Sequence, residues 1–529
     1  MQLQPAKIFN EYRNAINYKT SLGNKGLYEQ NRINERFYIG DQWHGAKCGN
    51  DRPLVRHNVI KRIGEYKMSQ ISNSPLSVGF SADGVATIAN EGNNDTQTKG
   101  AITQNEINKV TQTFGKYYDV TSERVNLPLL CEKILRNAYV SGTSVLYTYW
   151  DSEVPTGLYA DAAKTVKLKG DINCEVLDIE DVYFGDPYIE EVQKQPYIII
   201  ASTAPVEEVL REARLNGADI TTLRNIEELA YDGSITVLTK LYKEYTHDKS
   251  YTIKSIKVTE NAVIKPAFDT KLRLYPLTIF RWERKNNCIY GESEITHLIP
   301  NQIAINRMIT AKVWSAMTTG MPIMVVNGDT VTEKITNEPG QIIKVYGSNE
   351  DVAGAVKYIS PPSFATDFDT SINSLINNTL THSGANEVAL GDSRADNATA
   401  LITMRNAALM PLNIIKNRYY IFIEELARIW ADFWITYYGV RKIKIKDENG
   451  IFYMPFDSSR YREVIINAKV EVGVGSVYSN EKALSNLLML YEKNVINKKQ
   501  FLERLPQGIV ADKNGLLNDA LKEAENDRV

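Results

Sequence analysis

Hydrophobic and polar positions along the chain change character several times. The sharpest change lies in SEITHLIPNQIAINRMITAKVWSAMTTGMP, residues 293–322. At 100° per residue, Ile295, Leu298, Ile299, Ile305, Ile309, Val313, Ala316 and Met317 form one helical stripe. Gln302 and Asn306 interrupt the middle of it, and Ala304, Met308, Ala311 and Trp314 spread around the back. A surface helix keeps its apolar residues to one face. This one is apolar on several sides and ends abruptly at Gly320-Met321-Pro322.

Before it, residues 1–40 read as polar helix. RHNVIKRIGEYKMSQISNSP reads as a helix capped by Asn58 and closed by Pro75, with Val59, Ile60, Ile63 and Met68 at helical spacing. A short strand, LSVGFSAD, and a Gly/Asn/Thr-rich loop follow, then helices near 105–118 and 121–141. The second of these ends at Gly142 and feeds the strand TSVLYTYWD. From 143 to 283 alternating positions with Gly, Asp and Pro punctuation predict mostly antiparallel strands, interrupted by the helix VEEVLREARLNG.

After the long helix come three short strand patterns, PIMVVNGD, GQIIKVYG and GAVKYIS. A second helix runs to about 383, and the loop GANEVALGDSRADNA leads into a long helical pattern over 399–438 that Pro411 should kink. KIKIKDENGIFYMPF predicts a hairpin turning at Asn449-Gly450. The tail from Ser479 is helical, with Leu484, Leu487, Leu488 and Tyr491 in a stripe. Two helices flanking a small β unit make a stalk with a head. Its many-sided apolar surface marks either an interaction site or a hairpin buried inside a large monomeric core, and periodicity does not choose between them.

Composition narrows the classes. With 529 residues there is room for two to four domains at roughly 150 residues each. Hydrophobic residues make up 43% and charged ones 24%, an ordinary globular balance. Sixty-one basic against 64 acidic residues give a net charge of −3, which argues against a protein held on nucleic acid mainly by phosphate contacts. It does not exclude one past which DNA must slide. Cys48, Cys131, Cys174 and Cys288 are scattered, so buried free thiols in a reducing compartment are expected. No signal-peptide pattern opens the sequence, and no apolar run nears the ~18 residues of a membrane span, so a soluble protein made inside the cell is expected.

Catalytic signatures are scarce. There is no GxxxxGK[ST] phosphate loop, which disfavours an ATP-driven motor; FGKYYD holds only a fragment of it. GVGSVYS reads as a turn before a helix cap rather than a dinucleotide site. GxSxG and HExxH are missing, and His44, His57, His247, His297 and His382 have no ligand spacing. The acidic run Asp178, Glu180, Asp181 and Asp186 could hold a divalent cation, but the same residue types are ordinary turn formers. No cofactor is expected.

Several stretches then carry a resemblance by their order. They are YEQNRINERFYIGDQW, DRPLVRHNVIKRIGEYKMSQISNSP, LRNAYVSGTSVLYTYWD, GDINCEVLDIEDVYFGDP, YGESEITHLIPNQIAINRMI and SRADNATALITMRNAAL. In this sequence over most of residues 28–440, the chain resembles the portal proteins of tailed bacteriophages, the ring at a capsid vertex through which DNA enters and leaves. DNATAL departs from the Ser-Gly-x-Ala-Leu form of some branches, which leaves the subfamily open.

The resemblance implies an α+β, ring-forming, portal-like architecture. A mixed α/β wing would combine 1–290 with 399–478, the latter holding the long kinked helix. Stem helices would span 291–319 and 363–383, around a small β-rich clip at 320–362. A tunnel loop would occupy 384–398 and a short helical crown 479–529. It implies a homo-oligomer of about twelve subunits joined by heterologous contacts. It also implies a non-enzymatic channel for packaging and ejecting double-stranded viral DNA, sited at the capsid vertex of the virion after assembly in the host bacterial cytoplasm. Implied partners are the terminase large subunit, major capsid and scaffolding proteins and head-tail adaptor or neck proteins, with no membrane.

In a ring, Gln302, Asn306, Ile309 and Val313 would lie at the subunit interface, the two amides bonding across it. Asn386, Arg394 and Asn397 would face DNA, although Arg394 could equally pair with Asp392 or Asp396 inside the loop. Lys334, Lys344 and Lys357 would form the clip's docking surface. Two other readings stay open. One is a DNA-processing enzyme of the packaging machinery, against which the missing phosphate loop counts. The other is a minor structural head protein that forms no ring.

Overall fold

The computed structural model describes residues 4–46, 53–72, 76–83, 104–159, 167–245, 251–319, 366–385, 410–447, 450–461 and 465–472, with shorter pieces in 323–359 and 484–505. The chain is α+β and divides into two compact units. One comprises Met1–Arg32, Gly64–Glu294 and Ser393–Val529, and the other Ile33–Ile63 and Ile295–Asp392. In chain order the elements are α1 (Pro5–Ser21), α2 (Leu27–Ile39), α3 (Val59–Ser72), β1 (Leu76–Asp83), α4 (Gln104–Arg124), α5 (Leu127–Ser141), β2 (Thr143–Tyr159) and β3 (Lys167–Leu177). They continue with β4 (Val182–Phe184), β5 (Tyr197–Pro205), α6 (Val206–Leu215), α7 (Ile220–Glu228), β6 (Ser234–Tyr245), β7 (Tyr251–Val258), β8 (Val263–Asp269) and β9 (Leu277–Arg281). The remainder are α8 (Glu294–Thr319), β10 (Ile323–Val326), β11 (Val356–Ile359), α9 (Thr366–His382), α10 (Leu412–Tyr437), β12 (Val440–Asp447), β13 (Gly450–Asp457) and β14 (Ile465–Val472).

In the first unit every described ladder is antiparallel, as the alternating pattern predicts. β4-β5-β6-β7-β8 form a meander, and β3-β2-β9 a smaller sheet. β1 pairs with β14 along its whole length, from Leu76 opposite Val472 to Asp83 opposite Ile465. Helix α10 supplies the aromatic centre. Trp430 and Trp434 are fully buried, with Tyr118 5.1 Å from Trp430 and Phe114 5.2 Å from Trp434 between ring centroids. Trp150 stacks on Tyr437 at 5.2 Å and 22°. Rings of this size bury large apolar area while interlocking edge to face, which fixes one arrangement of α4, β2 and α10.

Two glycines explain why two distant motifs meet in this unit. Gly142 ends α5 with φ +79°, and a Cβ there would lie 2.7 Å from the Gly291 carbonyl oxygen. A Cβ on Gly291 would in turn lie 2.5 Å from the Gly142 carbonyl oxygen. The contact is sealed by Gly291 N–H donating to Thr143 Oγ1 at 2.7 Å and Ser293 Oγ donating to the Tyr139 carbonyl at 2.6 Å. The helix-Gly-strand passage and the Gly-x-Ser passage are therefore two sides of one close approach.

The second unit holds 295–319 of α8, β10 paired with β11, and α9. Lys312 Nζ lies 2.6 Å from Asp369 Oδ1, tying α8 to α9. On α9, Ile372, Thr379 and Leu380 are buried, a helical stripe. Of the three strands expected between these helices, the first and third pair as β10 and β11, and the middle one lies outside the described residues.

The structure adds to the expected elements and alters one. Pro411 stands at the cap position of α10, where a missing N–H costs no helical bond, and the described helix starts there. The part expected from Thr399 lies outside the described residues. In the hairpin, Asp447 pairs with Gly450, so Gly450 belongs to β13 rather than to the expected Asn-Gly turn, and 448–449 lie outside the described residues. Helix α7 and strand β8 were not anticipated. Pro300 sits inside α8 and removes a donor from its second turn without ending the helix.

Candidate assembly surface on the long helix

The polar break in α8 is a saturated amide cluster. Gln302 and Asn306 are 1% and 2% exposed. Gln302 Oε1 accepts Val59 N–H at 3.0 Å and Ile60 N–H at 3.3 Å, the first two donors of α3. Asn58 Oδ1 takes the next, Lys61 N–H, at 3.1 Å, as its capping position predicts. Gln302 Nε2 donates to the His57 carbonyl at 2.6 Å and to Asn306 Oδ1 at 3.0 Å. Asn306 Oδ1 also accepts His57 N–H at 3.0 Å, and its Nδ2 donates to Gln42 Oε1 at 2.6 Å. Gln42 Nε2 closes the relay on the Phe37 carbonyl at 3.0 Å.

This corrects the expectation that these amides bond across a subunit interface. The orphan N–H groups at the start of a helix need acceptors, and here a neighbouring helix supplies them within one chain. One turn further on, Thr310 Oγ1 accepts Val55 N–H at 3.2 Å, so positions 302, 306 and 310 form a single row facing residues 42–60.

The rest of α8 is different. Ile295, Leu298 and Ile305 are buried, but from Arg307 to Met317 no residue is. Met308, Ile309, Val313 and Trp314 are half-buried, and Met317 is 63% exposed. Five large apolar side chains on one stretch of helix thus keep contact with solvent in the single chain, a surface of the kind that marks interaction sites.

The other expected positions are placed as follows. Asn386, Arg394 and Asn397 of the loop, and Lys334 and Lys344, lie outside the described residues; Lys357 stands on β11 opposite Val325. The acidic run is turn chemistry. Asp178 Oδ1 accepts Glu180 N–H at 3.0 Å, Asp186 Oδ1 accepts Tyr188 N–H at 2.9 Å, and Glu180 Oε1 accepts from Asn31 at 3.1 Å. Among the described residues no cluster of three or more His, Cys, Asp or Glu side chains could hold a metal.

What the sequence did not reveal beside that run is Lys19. It is fully buried, its Nζ donating to the Ile179 and Glu180 carbonyls at 2.6 and 3.0 Å and lying 3.6 Å from the Tyr183 ring centroid. Burial pushes its pKa down to about 7, against the opposing pull of Asp181, Glu180 and Asp178. A lysine in a polar N-terminal helix carries no sequence signal for this. Only the acidic turn on the other side hints that a cation is wanted.

No protein-family model matches the chain, and no curated protein matches it. Among solved structures it is similar to a chain of the virion of a native gene transfer agent particle. The likeness has a TM-score of 0.38 and 8% identity, and covers 89% of this chain and 91% of that one. Among the described residues no helix is long and apolar enough to cross a membrane.

Proposed function

We propose that this protein is a portal-type channel subunit, in which copies of the chain form a closed ring around double-stranded viral DNA. The observation that carries the reading is the run Arg307–Met317 of α8, apolar on several sides yet with no residue buried in the single chain. A copy of the same helix pair on either side would cover it, and the ordered motifs of the sequence support the same reading. Ring closure takes two unlike faces per subunit, which a helix with an amide-bonded row on one side and open apolar residues elsewhere can provide.

In this reading Ile309 and Val313 are interface residues, while Gln302 and Asn306 brace the helix from within. The loop at 384–397, with Asn386, Arg394 and Asn397, faces the DNA. Lys334, Lys344 and Lys357 belong to the surface that docks the packaging terminase and later the neck proteins. The protein performs no catalysis, and its near-neutral charge suits a bore that must let phosphates slide, since each neutralised phosphate would strengthen the grip. Native mass and negative-stain imaging of the purified full chain test the reading. Closed rings with a central hole are expected, and a monodisperse monomer at working concentration overturns it.

A further inference from the structure

The first unit carries a polar cleft that the assembly surface does not use. Residues 190–192, β9 with the turn after it, and α10 enclose a solvent-open space of about 460 Å³. Three arginines line it: Arg281 from β9, Arg284 from the turn and Arg418 from α10. Three carboxylates, Glu190, Glu191 and Glu425, line it as well.

The two signs do not cancel evenly, because two of the carboxylates already have partners. Glu190 Oε2 lies 3.7 Å from Arg281 Nη1, and Glu190 Oε1 accepts Asn287 N–H at 3.2 Å. Glu191 Oε1 lies 2.8 Å from Lys194 Nζ. Arg284 and Arg418 are then set against Glu425 alone, which leaves one cation in excess. Arg284 is exposed and makes no hydrogen bond or ion pair among the described residues. Arg418 is half-buried and gives one N–H to the Trp282 carbonyl; its other N–H groups have no partner among the described residues.

Like charges also crowd one another here. Burial first, and the Arg284 guanidinium next, hold both Arg281 and Arg418 below the usual arginine range. Glu425 does not relieve this. It forms no ion pair among the described residues, and burial raises its pKa against the pull of Arg428, Arg281 and Arg284.

We propose that the cleft binds a tetrahedral oxyanion, a phosphate group, held by Arg284 and Arg418 with Arg281 beside them. A guanidinium presents parallel N–H donors in a planar fork that matches two phosphate oxygens at once. A bound anion offsets the excess cation and the repulsion among the three guanidiniums, which a neutral or cationic ligand cannot do. Glu425 is the competitor, since its carboxylate repels the anion and attracts the same arginines. All of these groups belong to one chain, so the site does not depend on ring closure.

Isothermal titration of the purified full chain with inorganic phosphate tests the site, at fixed ionic strength with chloride as the balancing anion. Saturable binding of one phosphate per chain is expected, with a Kd on the order of 1 mM, the strength of a few charge-assisted hydrogen bonds. Arg284→Gln alters an exposed side chain and should weaken binding about tenfold. Glu425→Gln should tighten it several-fold, an effect that loss of structure cannot produce, and circular dichroism checks that each variant folds. Competition by a short DNA duplex assigns the site to backbone phosphates, and its absence assigns it to the free ion; either result upholds the oxyanion site. Phosphate that binds no better than chloride, or an affinity that Arg284→Gln leaves unchanged, overturns it. A Glu425→Gln variant that folds and binds more weakly overturns it too.

Discussion

Gln302 Nε2 and Asn306 Oδ1 sit 3.0 Å apart on successive turns of α8, and together they hold the backbone of 57–60. The pair is a brace rather than a contact point. Replacing Gln302 with Leu keeps the volume and leaves the Val59 and Ile60 donors and the His57 carbonyl without their partner. Each abandoned buried group costs roughly 1–3 kcal/mol, so a loss near 3 kcal/mol is expected. Hydrogen exchange of peptides covering 57–61 should then speed up by about a hundredfold. Unchanged exchange there would remove Gln302 from this role.

How much of this was legible follows from where the partners lie. The cap at Asn58, the stop at Gly142 and the hairpin over 440–457 depend on residues within a few positions, and the sequence carries them. The polar break in α8 was visible as two amides four residues apart, but their partners sit 242 to 264 positions away, so an acceptor on another subunit looked equally good. The β1–β14 pairing is similarly remote. A proline's effect depends on its distance from the helix start, which pattern alone fixes poorly: Pro411 sits at the cap of α10, while Pro300 lies within α8 without ending it. Lys19 belongs to tertiary packing and had no local signature.

Glu294 holds a buried cation. Its Oε1 lies 2.5 Å from Lys67 Nζ and its Oε2 accepts Trp282 Nε1–H at 3.0 Å, with the Lys67 and Glu294 side chains 7% and 15% exposed. Glu294→Gln strands the ammonium and should cost about 3–5 kcal/mol. Adding Lys67→Met removes the stranded charge and should recover most of that loss. Guanidinium midpoints of the two variants against wild type decide the matter. A double variant no better than the single one would mean that the pair is not the cause.

Lys19 makes stability depend on pH in a known direction. Its folded pKa, lowered by burial to about 7, lies below the unfolded value of 10.5. Between these values the unfolded chain binds the proton that the folded chain has released, so stability rises with pH across the window and is diminished at and below pH 7. The slope contributed is at most about 1.4 kcal/mol per pH unit. Thermal melts at pH 7, 8 and 9 should show wild type gaining on Lys19→Met as pH rises. A constant difference between the two proteins would show that Lys19 does not titrate there.

Ile309 and Val313 lie on the open stretch of α8, one turn apart and half-buried. In the single chain both can turn a carboxylate toward water, so Ile309→Asp and Val313→Asp should leave the far-ultraviolet dichroism of the subunit unchanged. In a ring the same positions would be covered. Burying each apolar side chain there is worth roughly 1.5–3 kcal/mol, and burying an unpaired carboxylate in its place costs more. The penalty recurs at every contact of a closed assembly, so the substitutions should convert rings to monomers rather than merely weaken them. Native mass measured on each variant beside wild type reads the outcome. Variants that still form full rings would place the subunit contact on another face, and unfolded variants would mean that these residues support the subunit's own packing.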